Sequence, residues 1–385
     1  MLDFTPISDA IYNLSDVVDN VDSILRELKL EGSELDCFVL VGSVAEGYGT
    51  PTSDLDFVAI MKDGGRGGGV SPVAAGWHQG RRLVCNITTF EALGAMMTEV
   101  LTCTQDAFNA LHYKNWERTH RLFRAKPLLG ASALAQFMSN YSYSDFQELL
   151  VQKYARDAIE NFSDLLGSSA ANDGATMTVN ARLLLEASVD AVCARHQSTN
   201  PKAKWRLRRL DELWSSGALP PMPDLPSALF PRMTDDLESS QAQVERMLTV
   251  ARRLQRFYLL GAPTSPSGPS VSVLGSHGGA RYGPVSWLFL ATEGDRLLIL
   301  GPRKIHKVTE LLAAVWLSVD QPMSAAEVAD AVSRLAPTQI GWEDRIDWSL
   351  EHLAESGLLA RMASDVVTRG APIYAPGQGV DNLSQ

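Results

Sequence analysis

The sequence predicts an α+β core, then an all-helical domain, then a second, small α+β domain. Three observations carry this. Strand-like runs lie between Cys37 and Thr89, helical periodicity with little strand signal fills Asp145 to Leu260, and strand-like runs return after a Gly/Pro/Ser stretch at 261–269. At 385 residues the chain suits two or three domains better than one. The expected boundaries are 1–140 for the core, 141–260 for the helical domain, 261–269 for a linker, 270–365 for the small domain and 366–385 for a tail.

The elements follow in order. Val17, Val18, Val21, Ile24, Leu25 and Leu28 share one helical face, with Gly32 as a stop. Cys37-Phe38-Val39-Leu40-Val41 is a continuous apolar run, short and β-branched, as in a buried strand. Asp54 to Ile60 alternates at first, as a strand with one buried face does, and Arg82 to Thr89 reads as a further strand. Thr88 with Glu91 has capping-box spacing for the next helix, and the glycines between Gly64 and Gly69 make a loop. Ala181–Arg195 and Ser240–Tyr258 are the clearest helices. Beyond the linker, Val285–Leu290 and Arg296–Leu300 read as strands. Three helices follow, with stripes Val308/Leu311/Leu312/Val315/Trp316, Val328/Ala331/Val332/Leu335 and Trp342/Ile346/Leu350/Leu353. Ser324 and Glu327 cap the second, and Gly357 stops the third.

Composition narrows the function. A formal charge of −11 opposes non-specific nucleic-acid binding. The four cysteines are far apart and none of the seven histidines has metal-ligand spacing to another, so neither a disulfide framework nor a zinc site is expected. A reducing, cytoplasmic setting fits that usage. MLDFTPISDA carries acids where a signal peptide would be basic, and no apolar run is long enough to span a bilayer.

The chemistry concentrates in Gly42-Ser43 and Asp54-Leu55-Asp56. Alternation puts Asp54 and Asp56 on one strand face, where two carboxylates repel unless a cation lies between them. Oxygen-only ligands suit Mg²⁺. A strand entering Gly-Ser and a helix start offers backbone N–H groups and a hydroxyl to a phosphate. The pair together describe a site for a metal-chelated nucleoside triphosphate. By itself, D-x-D is equally a solvated strand face and Gly-Ser a turn.

The whole string from Gly42 to Asp56, GSVAEGYGTPTSDLD, resembles the signature of the DNA-polymerase-β-like nucleotidyltransferase superfamily, especially its small stand-alone and antibiotic-modifying members. The resemblance covers roughly residues 10 to 130. It implies that Gly42 and Ser43 hold the triphosphate of an NTP, with ATP the default, and that Asp54 and Asp56 hold Mg²⁺. The family often has a third acid on a later strand. Asn86 stands in that place here, able to ligate a metal but not to accept a proton. A base would then come from the helical domain, or a two-acid site suffices, or catalysis is lost.

In the helical domain Arg182, Glu186 and Asp190 recur every four residues, as in a solvated, ion-paired face. The resemblance implies another role, with Glu186 as general base. Lys202, Lys204, Arg206, Arg208 and Arg209 surround Trp205 in the one dense basic cluster. This resembles the Lys-Trp segment of some stand-alone nucleotidyltransferases and makes Lys204 a triphosphate ligand. A nucleic-acid patch or a solvated helix face would read the same way.

Two or three strands followed by three helices make the last domain winged-helix-like. From Ser270 to Asp365 twelve acids face eight bases, which argues against duplex DNA as a partner. Arg296–Leu300, Val308–Trp316, Met323–Leu335 and Ile346–Leu359, ending in Gly357-Leu358-Leu359, resemble the PqqD-like peptide-recognition family. That resemblance implies a leader peptide added to a sheet edge, and hence nucleotidyl transfer to a ribosomally made precursor peptide or a product of its pathway. The rivals are the same chemistry on an antibiotic or tRNA, and an inactive nucleotide- or peptide-binding module.

Overall fold

The structure is a computed structural model. It describes residues 17–50, 52–62, 73–104, 107–108, 110–230, 237–259, 280–285, 287–293, 296–302, 304–319, 322–335 and 343–362. The expected loop at 64–69, the linker at 261–269 and the tail at 366–385 lie outside the described residues. The chain forms two compact units. One comprises Met1–Leu149 and Thr199–Trp205, the other Leu150–Ser198 and Arg206–Gln385.

The first unit is mixed α+β. In order it holds α1 (Val21–Glu27), β1 (Leu35–Val41), α2 (Gly42–Ala45), β2 (Leu55–Met61), β3 (Val73–His78), β4 (Arg81–Thr88), α3 (Phe90–Leu101), α4 (Tyr113–Phe123), β5 (Lys126–Leu129) and α5 (Ala131–Met138). One five-stranded sheet runs β3-β4-β2-β1-β5. β1 pairs antiparallel with β2, placing Val41 opposite Asp56, and β2 pairs parallel with β4, placing Val58 beside Asn86.

The period of two divides the sheet's faces. Phe38, Leu40, Leu55, Phe57 and Ala59 pack with Ile24 and Leu25 of α1. Val39, Val41, Val58 and Ile60 pack with Leu93 and Met97 of α3, Leu122 of α4 and Leu134 of α5. Asp56 precedes Val58 by two, so the same alternation aims it at α4. The helix cap moves by one residue from expectation. Thr88 belongs to β4, and Thr89 is the N-cap of α3, accepting from the Ala92 N–H at 3.2 Å.

The second unit is helical at first. α6 (Tyr143–Ala170) begins in the first unit and runs into this one, which also holds α7 (Gly174–Arg195), α8 (Arg206–Ser215), α9 (Leu225–Leu229) and α10 (Leu237–Leu259). Residues from Ala187 to Ala194 are all buried, so α7 is a central helix here. Arg195 clamps α7 to α10 by donating to the Tyr258 carbonyl at 3.1 and 3.2 Å.

The rest of this unit is β6 (Arg281–Pro284), β7 (Phe289–Glu293), β8 (Arg296–Leu300), β9 (Ile305–Val308), α11 (Glu310–Ser318), β10 (Met323–Ser324), α12 (Ala325–Leu335), α13 (Glu343–Glu355) and β11 (Leu359–Met362). The strands form two three-stranded sheets, β10-β6-β11 and β7-β8-β9. Two boundaries differ from the sequence reading. The strand expected at Val285 starts at Phe289, and Val308 closes β9 rather than opening a helix, because Thr309 caps α11 by accepting from the Leu312 N–H. The capping box forms in both directions: the Ser324 N–H donates to Glu327 at 2.6 Å and the Glu327 N–H to Ser324 at 3.3 Å. Gly357, at φ +72°, ends α13, and the Leu358 N–H returns to the Leu353 carbonyl at 2.8 Å. Among the described residues no helix is long and apolar enough to cross a membrane.

Candidate active site

The site starts where β1 ends. Gly42 has φ +77°, and a Cβ there would lie 2.5 Å from Asp56 Oδ2, so only glycine fits between the turn and the carboxylate. Ser43 follows in α2, and its carbonyl accepts from the Tyr48 N–H at 2.7 Å, which folds the loop back on itself. α2 spans four residues only, so the positive helix end expected from the sequence is a single turn. What remains for an anion is the loop's own N–H groups and the Ser43 hydroxyl.

Asp54 is exposed, with Arg82 at 3.7 Å, an open ion pair worth little. Asp56 is more enclosed, and Arg121 of α4 stands 3.9 Å away. Burial above all lifts the Asp56 carboxyl above its ordinary value, and Asp54 and Glu117 add to this against the pull of Arg121 and Lys202. Mg²⁺ takes one or two carboxylates and fills its other positions with water and phosphate oxygen, so the donor set fits that ion. Among the described residues no group of three His, Cys, Asp or Glu could hold a metal alone. Asn86 lies on the same sheet face as Asp56. It pairs with Val58, two residues on from Asp56, and the parallel register carries it to the same face.

Segment 199–205, far along the chain, belongs to this unit and is pinned to it at four points. Thr199 bonds His120 Nδ1 at 2.7 Å, Asn200 donates to Glu46 at 3.0 Å, Lys202 pairs with Glu117 at 3.0 Å, and Trp205 stacks on Tyr48 at 5.3 Å between ring centres. Lys204 lies over the Trp205 ring, its Nζ 4.8 Å from the centre. Glu46 and His120 form a buried pair at 2.9 Å. Burial opposes the charged form of Glu46, but His120 first, then Asn200 and Arg124, outweigh it and hold the carboxyl below its ordinary value. Glu117 behaves likewise: burial raises it, while Arg121 and Lys202 bring it lower.

The structure thus brings Gly42, Ser43, Asp54, Asp56, Asn86 and Lys204 into one unit. Glu46, Glu117, His120 and Lys202 are the members that the sequence did not single out as site residues. Glu46 lies within the quoted string, and Glu117 and Arg121 have ordinary i,i+4 spacing. Their shared location is a product of topology.

Glu186 and Asp190 belong to the second unit. Glu186 pairs with Arg182 at 2.9 Å and Arg206 at 3.2 Å. Asp190, almost fully buried, is bound by Arg206 at 2.8 Å and Arg209 at 2.5 Å. Two cations of the basic cluster are therefore taken up by these carboxylates.

No family model and no curated protein matches the chain. One solved structure it is similar to is a nucleotidyltransferase-like protein from Exiguobacterium sibiricum 255-15. The identity is 13%, the match covers 63% of this chain and 78% of that one, and the TM-score is 0.33. A likeness of that degree establishes neither fold nor function.

Proposed function

We propose that the chain is a Mg²⁺-dependent nucleotidyltransferase, moving an NMP unit from an NTP, ATP by default, to an acceptor oxygen. One observation carries the reading: a basic segment from beyond residue 198 folds onto the same unit as the Gly-Ser turn and the carboxylate pair. Cations and acids gathered in one unit suit a metal-chelated triphosphate better than either a bare anion or a bare cation.

In this reading Gly42 and Ser43 hold the triphosphate by N–H and hydroxyl groups, and Lys202 and Lys204 balance its charge. Asp54 and Asp56 hold the metal, with Asn86 as a neutral ligand. When bound, Mg²⁺ neutralises phosphate oxygens and aligns attacking and leaving groups. The acceptor oxygen forms a bond to the α-phosphorus while the bond to the β-phosphate oxygen breaks, and pyrophosphate leaves with the electron pair. By the family resemblance Glu186 is the proton acceptor. To act so it must leave Arg182 and Arg206. The acceptor proposed from the last domain's resemblance is a ribosomally made precursor peptide, or a product of its pathway.

Thermal unfolding with each of four NTPs and Mg²⁺, beside Asp54→Asn/Asp56→Asn, tests this. A metal-dependent rise for one nucleotide in the wild type, absent in the variant, together with pyrophosphate release, is expected. No rise with any nucleotide would overturn it, and a rise without pyrophosphate would leave a nucleotide-binding module.

A further inference from the structure

A cavity of about 590 Å³ opens in the first unit between β2, β4, α3 and α4. That volume suits a small organic molecule, on the order of 300–1,000 Å³ being usual, and is too small for a folded partner. Its walls differ. α3 contributes apolar side chains, Leu93 and Met96 among them, while α4 contributes Lys114, Arg118 and Arg121 with the single acid Glu117. Spacings of four and three residues put the cations in one helical stripe about 10 Å long. Arg121 is neutralised by Glu117 at 2.6 Å. Lys114 and Arg118 have no ion-pair partner among the described residues.

Like charges one turn apart on a helix disfavour it, and a chain of net charge −11 has acids in excess to set beside them. Lys114 and Arg118 are both exposed, and two cations at a cavity with no acid paired to them offer positive charge to an anion that enters it. Asn86, the amide where the family often has an acid, lines the same cavity, and Arg121 carries it to within 3.9 Å of Asp56.

We infer that this cavity binds the acceptor, and that the acceptor is a small molecule or group bearing an anionic oxygen, a phosphate monoester or a carboxylate, on an apolar body. The inference rests on the nucleotidyltransferase reading for the word acceptor, but the anion site stands on the cavity alone. It also accounts for Asn86. An oxygen already ionised at neutral pH attacks the α-phosphorus without giving up a proton, so the bond to pyrophosphate breaks and no base is needed at that position. A polycationic acceptor, such as an aminoglycoside-type antibiotic, is disfavoured by the same cations.

The test uses the full chain with phenyl phosphate, benzoate and, as the cationic counterpart, benzylamine. Affinity is measured by calorimetry without nucleotide or Mg²⁺, in the wild type, in Lys114→Gln/Arg118→Gln and in the charge-keeping Lys114→Arg/Arg118→Lys. At least one anion is expected to bind, to lose tenfold or more in the Gln variant and to keep its affinity in the charge-keeping one; which anion binds tells phosphate from carboxylate. Equal affinity in the Gln variant, no binding by either anion, or equal binding of benzylamine overturns the inference. Mg–NTP binding separates it from the reading it rests on. Loss of Mg–NTP binding in the Gln variant would make the cavity part of the nucleotide site and overturn the acceptor assignment. Absence of Mg–NTP binding from the wild type, with anion binding intact, would sink the transferase and leave the anion site standing.

Discussion

Asp56 and Asp190 are both carboxylates approached by arginine, and they differ in how completely their charge is met. Asp190 is 5% exposed and bonded by two guanidiniums at 2.5 and 2.8 Å. Asp56 has one guanidinium no nearer than 3.9 Å, with Lys202 and two other acids around it, and burial above all pushes its carboxyl up. The first is a closed account of charge that holds α7 to α8. The second is open, and a cation from outside would close it. Pairing geometry thus separates an acid whose charge is met by close guanidiniums from one whose charge is not, where residue type does not.

The sharpest way to break this contrast is to remove the closed one. Asp190→Asn leaves Arg206 and Arg209 buried without their counter-charge and is expected to cost about 3–5 kcal/mol in urea unfolding. A cost under about 1 kcal/mol would mean the cluster is solvated.

Glu46→Gln comes next, at about 1–3 kcal/mol, because a buried hydrogen-bonded charge is lost. Its pH dependence has a definite sign. The Glu46 carboxyl lies below its ordinary value of 4.5 when folded, so its contribution is complete above that value and fades as pH falls through the folded one. Stability against pH in the acid range should therefore be flatter in Glu46→Gln than in the wild type.

Asp56→Asn should act in the opposite sense. A raised folded value costs stability that builds up as pH rises from the ordinary value of 3.8 to the folded one and is fully present above it. The nucleotide-free variant should melt at a higher temperature near neutral pH, while pyrophosphate release falls about 100-fold or more, several kcal/mol of charge stabilisation being lost. A lower melting point would place Asp56 with Asp190 as structural.

The smallest effect is expected from Glu186→Gln, about 1 kcal/mol of stability, because Arg182 is exposed and Arg206 keeps Asp190 as its partner. With an acceptor that brings an ionised oxygen, pyrophosphate release should stay within a few-fold. A fall of about 100-fold would instead restore Glu186 as the base.

What could be read in advance followed from local physics. β1 announced itself by a continuous apolar run, β2 by its early alternation, α12 by its capping box, and α13 by Gly357. β3 and β5 did not. β3 is an edge strand that alternates, but its inward residues include the small Ala74 and Gly76 while Val73 and Trp77 are left exposed, and β5 is four residues with Pro127 among them, so neither shows apolar residues on a buried face in the usual pattern. The carboxylate pair and Gly-Ser turn were legible because the two are close in sequence. The pairs Glu46–Asn200 and Glu117–Lys202 were not, since only the tertiary path of the chain makes them neighbours. Arg206 and Arg209 looked like free cations for the same reason: their carboxylates lie on another helix.

The return of 199–205 to the first unit has a consequence for synthesis of the chain on the ribosome. The sheet's strands are complete by Leu129, yet the groups that cover Glu46, Glu117 and Tyr48 arrive only with Thr199 to Trp205. No single cut in the gene releases this unit whole. During translation its acids stay uncovered until all of α6 and α7 have emerged, which makes that interval the natural moment for a chaperone or protease to act on it.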